Sequence, residues 1–260
     1  MAHPNHLQDA HVLVFGGTSG IGYAIANMAL YNGAHVTISG SNTSKLEASL
    51  VSLRSNYPSL SQTKLDGFAC DLSDTPNLEA NLREVFEKAT QGGQRKVDHI
   101  TITAGGAPSL VQLADVEIDH NIKPINMRLL SCILISKLLA SNPGHYMPIS
   151  SHSSFTLTSG SNTSKPRPGW SLEATWGAAM EGLTRGLAVD LKPIRVNCVS
   201  MYAVDTPLLQ AVKEHGGEGV IRELVDQTLV GELARPESTA EAYGWCMRDR
   251  LEVVLGALMV

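Results

Sequence analysis

Phe15-Gly16-Gly17-Thr18-Ser19-Gly20-Ile21-Gly22 is the stretch on which the reading of this chain turns. It follows the short β-branched run His11–Phe15 (HVLVF) and leads into Gly20–Tyr31, whose apolar residues recur at helical spacing. Glycine therefore repeats as GxxxGxG between a strand and a helix. Glycines let the backbone turn tightly and approach a diphosphate. The first turn of the helix offers it unpaired N–H groups and the positive end of the helix dipole. In this strand–turn–helix context the run is a nucleotide-binding signature. Gly16, Thr18, Ser19, Gly20 and Ile21 become candidate cofactor contacts.

The alternation continues to the end of the chain. His35–Ser39 (HVTIS), Gly67–Cys70, His99–Thr103 (HITIT), Phe155–Thr158, Ile194–Ser200 (IRVNCVS) and Leu251–Val254 read as strands. Lys45–Arg54, Asn77–Thr90, Ile122–Leu139, Leu172–Leu191 and Pro236–Met247 read as helices. Strands separated by helices imply parallel pairing with right-handed crossovers. The expectation is one α/β domain spanning residues 1–260, a doubly wound parallel sheet of about seven strands flanked by helices. Two segments look irregular. Ser159–Gly169 (SGSNTSKPRPG) is a polar loop, and Met201–Glu218 is weakly patterned and expected to form a small mobile lid. Both follow strand C-termini, where open α/β sheets bind ligands.

Composition narrows the partners. The chain has 260 residues, 43% of them hydrophobic, and a formal net charge of −5. No long basic tract is present, so neither nucleic acid nor an anionic membrane surface is expected to bind. Cys70, Cys132, Cys198 and Cys246 are widely separated, with neither zinc-ligand nor disulfide-framework spacing. The histidines form no ligand set, and His120 and His152 read as ordinary loop or surface residues. No metal is expected. The N-terminus MAHPNHLQDA lacks the apolar stretch of a signal peptide, and no apolar run reaches the ~18 residues of a membrane span. A cytoplasmic location follows as the expectation.

Further cofactor contacts come from the ends of the next strands. Nucleotide binders that prefer NAD place a carboxylate after the second strand to hold the adenosine 2′-hydroxyl. Here no Asp or Glu lies between residues 34 and 46. Ser41, Asn42 and Lys45 stand there instead and suit a 2′-phosphate, which favours NADP(H). Asp71-Leu72 after the third strand suits an adenine contact. Ala104-Gly105-Gly106 after the fourth lets the chain pass close to a ribose.

These pieces together resemble the short-chain dehydrogenase/reductase family and its single-domain Rossmann fold. The resemblance rests on GGTSGIG at 16–22, CDLSD at 70–74, TAGG at 103–106, EGLTRGLAVDL at 181–191, IRVNCVS at 194–200 and ARPES at 234–238. Its catalytic residues do not carry over. Alignment on Glu181-Gly182-Leu183 puts the family's tyrosine at Glu173, its lysine at Gly177 and its serine near Gly160. No tyrosine occurs between 147 and 201, and only Asn126 matches the fourth catalytic position. The proline–glycine pair after the sixth strand is Met201-Tyr202, while Thr206 fits the position beside the nicotinamide amide. Helix pairing in this family implies a homodimer or homotetramer.

A narrower resemblance lies in Phe155–Leu172, FTLTSGSNTSKPRPGWSL. It looks like the variant branch that contains the fungal indole-alkaloid reductase/Diels–Alderases, which carry Pro-Asp-Pro-Gly-Trp and lack the Tyr/Lys pair. Pro166, Arg167, Pro168, Gly169 and Trp170 match that motif, with Arg167 replacing its aspartate. An arginine on the long helix of that branch matches Arg128. The resemblance implies an enzyme of specialised metabolism with a polycyclic small-molecule substrate.

Reducing a ketone needs a hydride on carbon and a proton on oxygen, and losing the general acid typically costs about 10²–10⁴ in rate. An iminium or similarly activated acceptor needs chiefly hydride. A Diels–Alder closure needs a shaped pocket that holds the reacting ends together. Positions 173, 176, 177 and 180 share one helix face, so Glu173, Trp176 and Met180 should border the cleft around Gly177. Gly177 either leaves room for a bulky substrate or permits close packing between subunits. Glu173 is either a partner for a cationic substrate, a solvated residue or a partner of Arg167. Arg128, set among Met127, Leu129 and Leu130, must find a partner, whether a substrate, a phosphate or a structural carboxylate. Arg128, Arg167, Glu173 and Trp176 are the candidate catalytic residues. The leading expectation is NADP(H)-dependent reduction of an iminium or other activated double bond, alone or coupled to cyclisation. The competing readings are a non-redox cyclase or isomerase and a nucleotide-binding regulator with a dead site.

Overall fold

The computed structural model describes residues 5–59, 61, 64–106, 108–216, 218–248 and 257–259. Strand β1 (His11–Phe15) lies inside a seven-stranded sheet ordered β3-β2-β1-β4-β5-β6-β7, in which neighbouring strands pair in parallel. The other strands are β2 (His35–Gly40), β3 (Leu65–Ala69), β4 (His99–Ile102), β5 (Ser154–Gly160), β6 (Arg195–Met201) and β7 (Ala257–Met259). Helices α1 (Gly20–Tyr31), α2 (Thr43–Asn56), α3 (Leu78–Thr90), α4 (Lys123–Ser141), α5 (Ser171–Asp190) and α8 (Pro236–Arg248) connect them. The chain runs outward from β1 to β3, then crosses back to β4 on the other side of β1. That reversal opens a crevice at the C-terminal edge between β1 and β4.

β1 shows why a continuous apolar run forms a central strand: all five of its residues are buried. Alternation sends Leu13 and Phe15 into the core beneath α3, α4 and α5, and Val12 and Val14 into the core beneath α1, α2 and α8.

Two expectations change. The segment at Met201–Glu218 is not irregular; it contains helix α6 (Pro207–Gly216), followed by α7 (Glu218–Asp226). Thr206 Oγ1 accepts the Leu209 N–H at 3.3 Å and Pro207 opens the first turn, a start signal masked by the short length of the helix. The last strand lies at Ala257–Met259, whereas Leu251–Val254 falls outside the described residues.

Two histidines inside the sheet couple stability to pH. The His11 ring faces the Lys96 carbonyl at Nδ1 (3.3 Å) and Thr37 Oγ1 at Nε2 (2.9 Å); His99 Nδ1 lies 2.9 Å from Ser154 Oγ. Burial lowers the His11 pKa to about 4 and the His99 pKa to about 3. Both folded values lie below the unfolded value of ~6.5. The unfolded chain therefore binds protons first as pH falls, and stability drops between ~6.5 and the folded pKa values. Each histidine should remove about 2 kcal/mol by pH 5. Urea unfolding at pH 7 and pH 5 checks this, and an unchanged midpoint contradicts it.

Candidate active site

Two concavities meet at the C-terminal edge of the sheet. The first, a cleft of about 480 Å³, runs between the turns after β1 and β4. Every residue named above as a candidate cofactor contact lines it, from Gly16 to Thr206. The glycines make the cradle. Gly16 has φ +88°, and a Cβ there would sit 2.6 Å from the Ala104 amide nitrogen. A Cβ on Gly22 would meet the Gly16 carbonyl oxygen at 2.2 Å. Nothing larger than glycine lets these turns close on each other while the α1 N-terminus stays open to a diphosphate.

At one end of the cleft, Lys45 Nζ donates to Ser19 Oγ at 3.4 Å, so an ammonium hangs beside the start of α1. Asn42 Oδ1 caps α2 by accepting the Lys45 N–H at 2.8 Å. Asp71 Oδ1 accepts from the Ser73 hydroxyl (2.6 Å) and amide (2.8 Å), which holds its carboxyl below the usual range and keeps it ionised. This set suits the adenosine end of a nicotinamide dinucleotide.

The second concavity, about 240 Å³, adjoins the first along Ile21, Thr103, Ala104, Gly105, Thr206 and Leu208. Trp170 and Trp176 contribute aromatic wall, and Leu208, Leu209, Val212 and Leu224 of α6 and α7 form an apolar side. Its charged lining is Arg128, Lys165 and Arg167; no Asp or Glu is among the lining residues described.

The candidate catalytic residues divide into two groups. Glu173 is buried in the wall rather than solvated or joined to Arg167. Its carboxylate accepts the Ser109 amide at 2.8 Å and faces Arg128 Nη1 at 3.8 Å. Arg128 also donates to the Gly106 carbonyl and lies over the Trp176 ring, 4.5 Å from its centroid. Burial pulls the Arg128 pKa down, opposed by the Glu173 charge. This cluster ties α4, α5 and the glycine turn after β4 together. On the opposite side of the loop, Arg167 Nη2 donates to Tyr202 Oη at 2.7 Å and Nη1 faces Glu223 at 3.6 Å.

Gly177 corrects the expectation of a hole for substrate. The space over it is filled from within the chain: a Cβ would lie 2.3 Å from Thr163 Cγ2 and 3.1 Å from Ser159 Oγ. The short turn Ser161–Thr163 packs against α5 there, so Gly177 opens no hole for substrate. The side chain of Asn126 lies outside the described residues. Sequence reasoning missed Tyr202 and Lys165 as lining residues, although the unusual Met201-Tyr202 pair marked the place. Cys132 also lines the cavity, but burial pushes its thiol far up, so it offers no thiolate. Among the described residues, no cluster of His, Cys, Asp and Glu has metal-binding geometry, and no helix is long and apolar enough to cross a membrane.

A doubly wound parallel sheet with a glycine cradle at its topological switch point defines a dinucleotide-binding Rossmann domain. The sequence profile of the SDR-like Rossmann domain matches residues 3–254, and the chain belongs to that family. It is 39% identical over 244 residues to the short-chain dehydrogenase/reductase malC of Malbranchea aurantiaca, covering 94% of this chain and 90% of that one. It is 32% identical over 246 residues to the short-chain dehydrogenase/reductase fsr5 of Gibberella fujikuroi, covering 94% and 90%. The solved structure of the MalC reductase/Diels–Alderase superposes with a TM-score of 0.88 at 38% identity, over 98% of this chain and 96% of that one.

Proposed function

We propose that this chain is an NADP(H)-dependent reductase of specialised metabolism that acts on a neutral, oxygen-bearing, electron-poor acceptor. Bound in the cleft, the reduced nicotinamide would supply a hydride. The chain's residues hold the diphosphate at the glycine turn, the 2′-phosphate at Lys45 and Ser41, and the adenine at Asp71 and Leu72. One observation carries the choice of acceptor: Arg128, Lys165 and Arg167 border the substrate cavity and no carboxylate does among the residues described. Glu173 and Glu223 stand behind Arg128 and Arg167, so with Lys165 the lining keeps a positive excess, and an iminium would meet like charge. A double bond conjugated to a carbonyl meets the opposite situation, because charge builds on its oxygen as hydride arrives. NADPH oxidation with cyclohexenone against N-methyl dihydroisoquinolinium tests this reading. Faster consumption with the enone supports it, and faster consumption with the iminium contradicts it.

A ring closure in the same cavity is the second reading. It is supported by likeness to the MalC reductase/Diels–Alderase and by the two tryptophan walls, which suit a flat or polycyclic reactant. Assembly as a homo-oligomer through α4 and α5 is supported by exposed Ile133 and Val189 on those helices.

Lys45→Glu tests the cofactor assignment. A charge-assisted contact to phosphate contributes about 1.5–3 kcal/mol. The substitution should therefore weaken NADPH about 10–100-fold while leaving NADH within a few-fold. Equal losses for both nucleotides in a fluorescence titration would contradict a 2′-phosphate site.

A further inference from the structure

We propose that Tyr202, held in place by Arg167, is the proton donor to the acceptor's oxygen, and so does from the loop after β6 what helix α5 does not do. The proposal rests on the reading above that the acceptor carries an oxygen. Helix α5 offers no acid toward the cavity: Glu173 faces Arg128 and the Ser109 amide, and position 177 is glycine. Among the residues lining the cavity, Tyr202 is the one phenol. It stands one residue beyond β6 and lines the substrate cavity, which adjoins the nucleotide cleft at Thr206, four residues further on.

The hydrogen bonds around its hydroxyl match the role. Arg167 Nη2 donates to Oη at 2.7 Å, and Oη donates to the exposed Gln227 Oε1 at 3.1 Å. The arginine takes a lone pair of the phenol and leaves its proton free to be given. It also places a guanidinium, shared with Glu223 at 3.6 Å, where a phenolate would form. Gln227 is a replaceable acceptor, so an oxygen entering the cavity can take the same proton. The Arg167 side chain is only 15% exposed, which strengthens its field on the phenol. An aspartate at position 167 would accept a hydrogen bond from the phenol instead, and would oppose its ionisation.

The step balances on an α,β-unsaturated ketone. Hydride that a bound reduced nicotinamide would supply forms a C–H bond at the β-carbon as the carbon–carbon π bond breaks. The π pair moves onto the carbonyl oxygen to give an enolate, a two-electron reduction that oxidation of the nucleotide would balance. The Tyr202 O–H bond breaks as its proton passes to the enolate oxygen. Arg167 stabilises the phenolate, which regains a proton from water, and the enol returns to ketone in solvent.

The test uses the full chain loaded with NADP⁺ and para-nitrophenolate as an enolate-like probe, followed by its visible absorbance. A hydrogen bond to a charged oxygen contributes about 1.5–3 kcal/mol, so Tyr202→Phe should weaken the probe about 10–100-fold, with nucleotide affinity within a few-fold of the parent's. In turnover of cyclohexenone, kcat should fall about 10²–10⁴ with KM within a few-fold, and the solvent deuterium isotope effect should change. Tyr202→Phe with the parent's probe affinity and kcat overturns the proposal, even when the parent reduces the enone. If the parent instead fails to oxidise NADPH with any enone, the reductase reading falls, and the nitrophenolate titration still decides whether Tyr202 is the donor.

Discussion

Substituting Glu173→Tyr together with Gly177→Lys, which writes the usual family pair into α5, is expected to lower stability by about 4–8 kcal/mol and to produce no ketone reductase. Two contacts set the size of the loss. Glu173 is the carboxylate facing Arg128 at 3.8 Å; it is buried, and the Arg128 side chain is 14% exposed. Removing one partner of a buried ion pair costs about 3–5 kcal/mol, because the remaining charge is left largely desolvated without its counter-charge. At Gly177 the first side-chain atom would already lie 2.3 Å from Thr163 Cγ2, in a turn whose Thr163 hydroxyl is bound to the Gly160 carbonyl and to Glu181. Forcing a lysine there adds an overpacking cost of about 1–3 kcal/mol. Against a typical total stability of about 5–15 kcal/mol, the double variant should be marginal. Urea denaturation measures this directly. A double variant as stable as the parent and active on simple ketones would show that α5 has kept room for the pair.

The second large effect is expected at the nucleotide cradle. Gly16→Ala should weaken NADPH about 30–1000-fold, the equivalent of about 2–4 kcal/mol. The φ of +88° disfavours any L side chain, and the added carbon would stand 2.6 Å from the Ala104 nitrogen and 2.8 Å from its Cα. Those atoms are backbone and cannot rotate aside, so the turns after β1 and β4 must part, and they are the two walls of the cleft. Gly106→Ala is the matched control for stability: nothing lies within 4 Å of its added carbon. Its unfolding free energy should stay within about ±0.5 kcal/mol of the parent. Calorimetric titration of NADPH into Gly16→Ala, with urea unfolding of both variants, checks the pair. Undiminished affinity in Gly16→Ala would remove the glycine turn from the account.

The fold was legible because its signals are local. The HVLVF run, the glycine turn and the strand–helix alternation each need only neighbouring residues to be read, and the observed sheet order follows from connection rules. The same locality placed Trp176, Met180 and Glu173 on one face of α5. What that face does was not legible, because the deciding partners are remote in sequence. Ser109 reaches Glu173 across 64 positions, and Arg167 meets Tyr202 across 35. The filling of Gly177 by Thr163 depends on how a short turn after β5 folds back, which no periodicity encodes. Helix α6 was hidden for a different reason: its ten residues offer too few turns for a stripe to stand out against a polar background. The absence of the family's acid on α5 was legible in the sequence; the contact of Tyr202 with Arg167 was not, because it joins two loops that follow different strands.

The charge of the substrate cavity and its junction with the nucleotide cleft are the centre of this account. Single-turnover reaction of the full chain with C4-deuterated NADPH and cyclohexenone, followed by nuclear magnetic resonance of the product, tests it most directly. Stoichiometric oxidation of the nucleotide with deuterium on the β-carbon is expected, and slower consumption when the cationic dihydroisoquinolinium replaces the enone. Product that forms without nucleotide oxidation, or faster reduction of the cation, would contradict it.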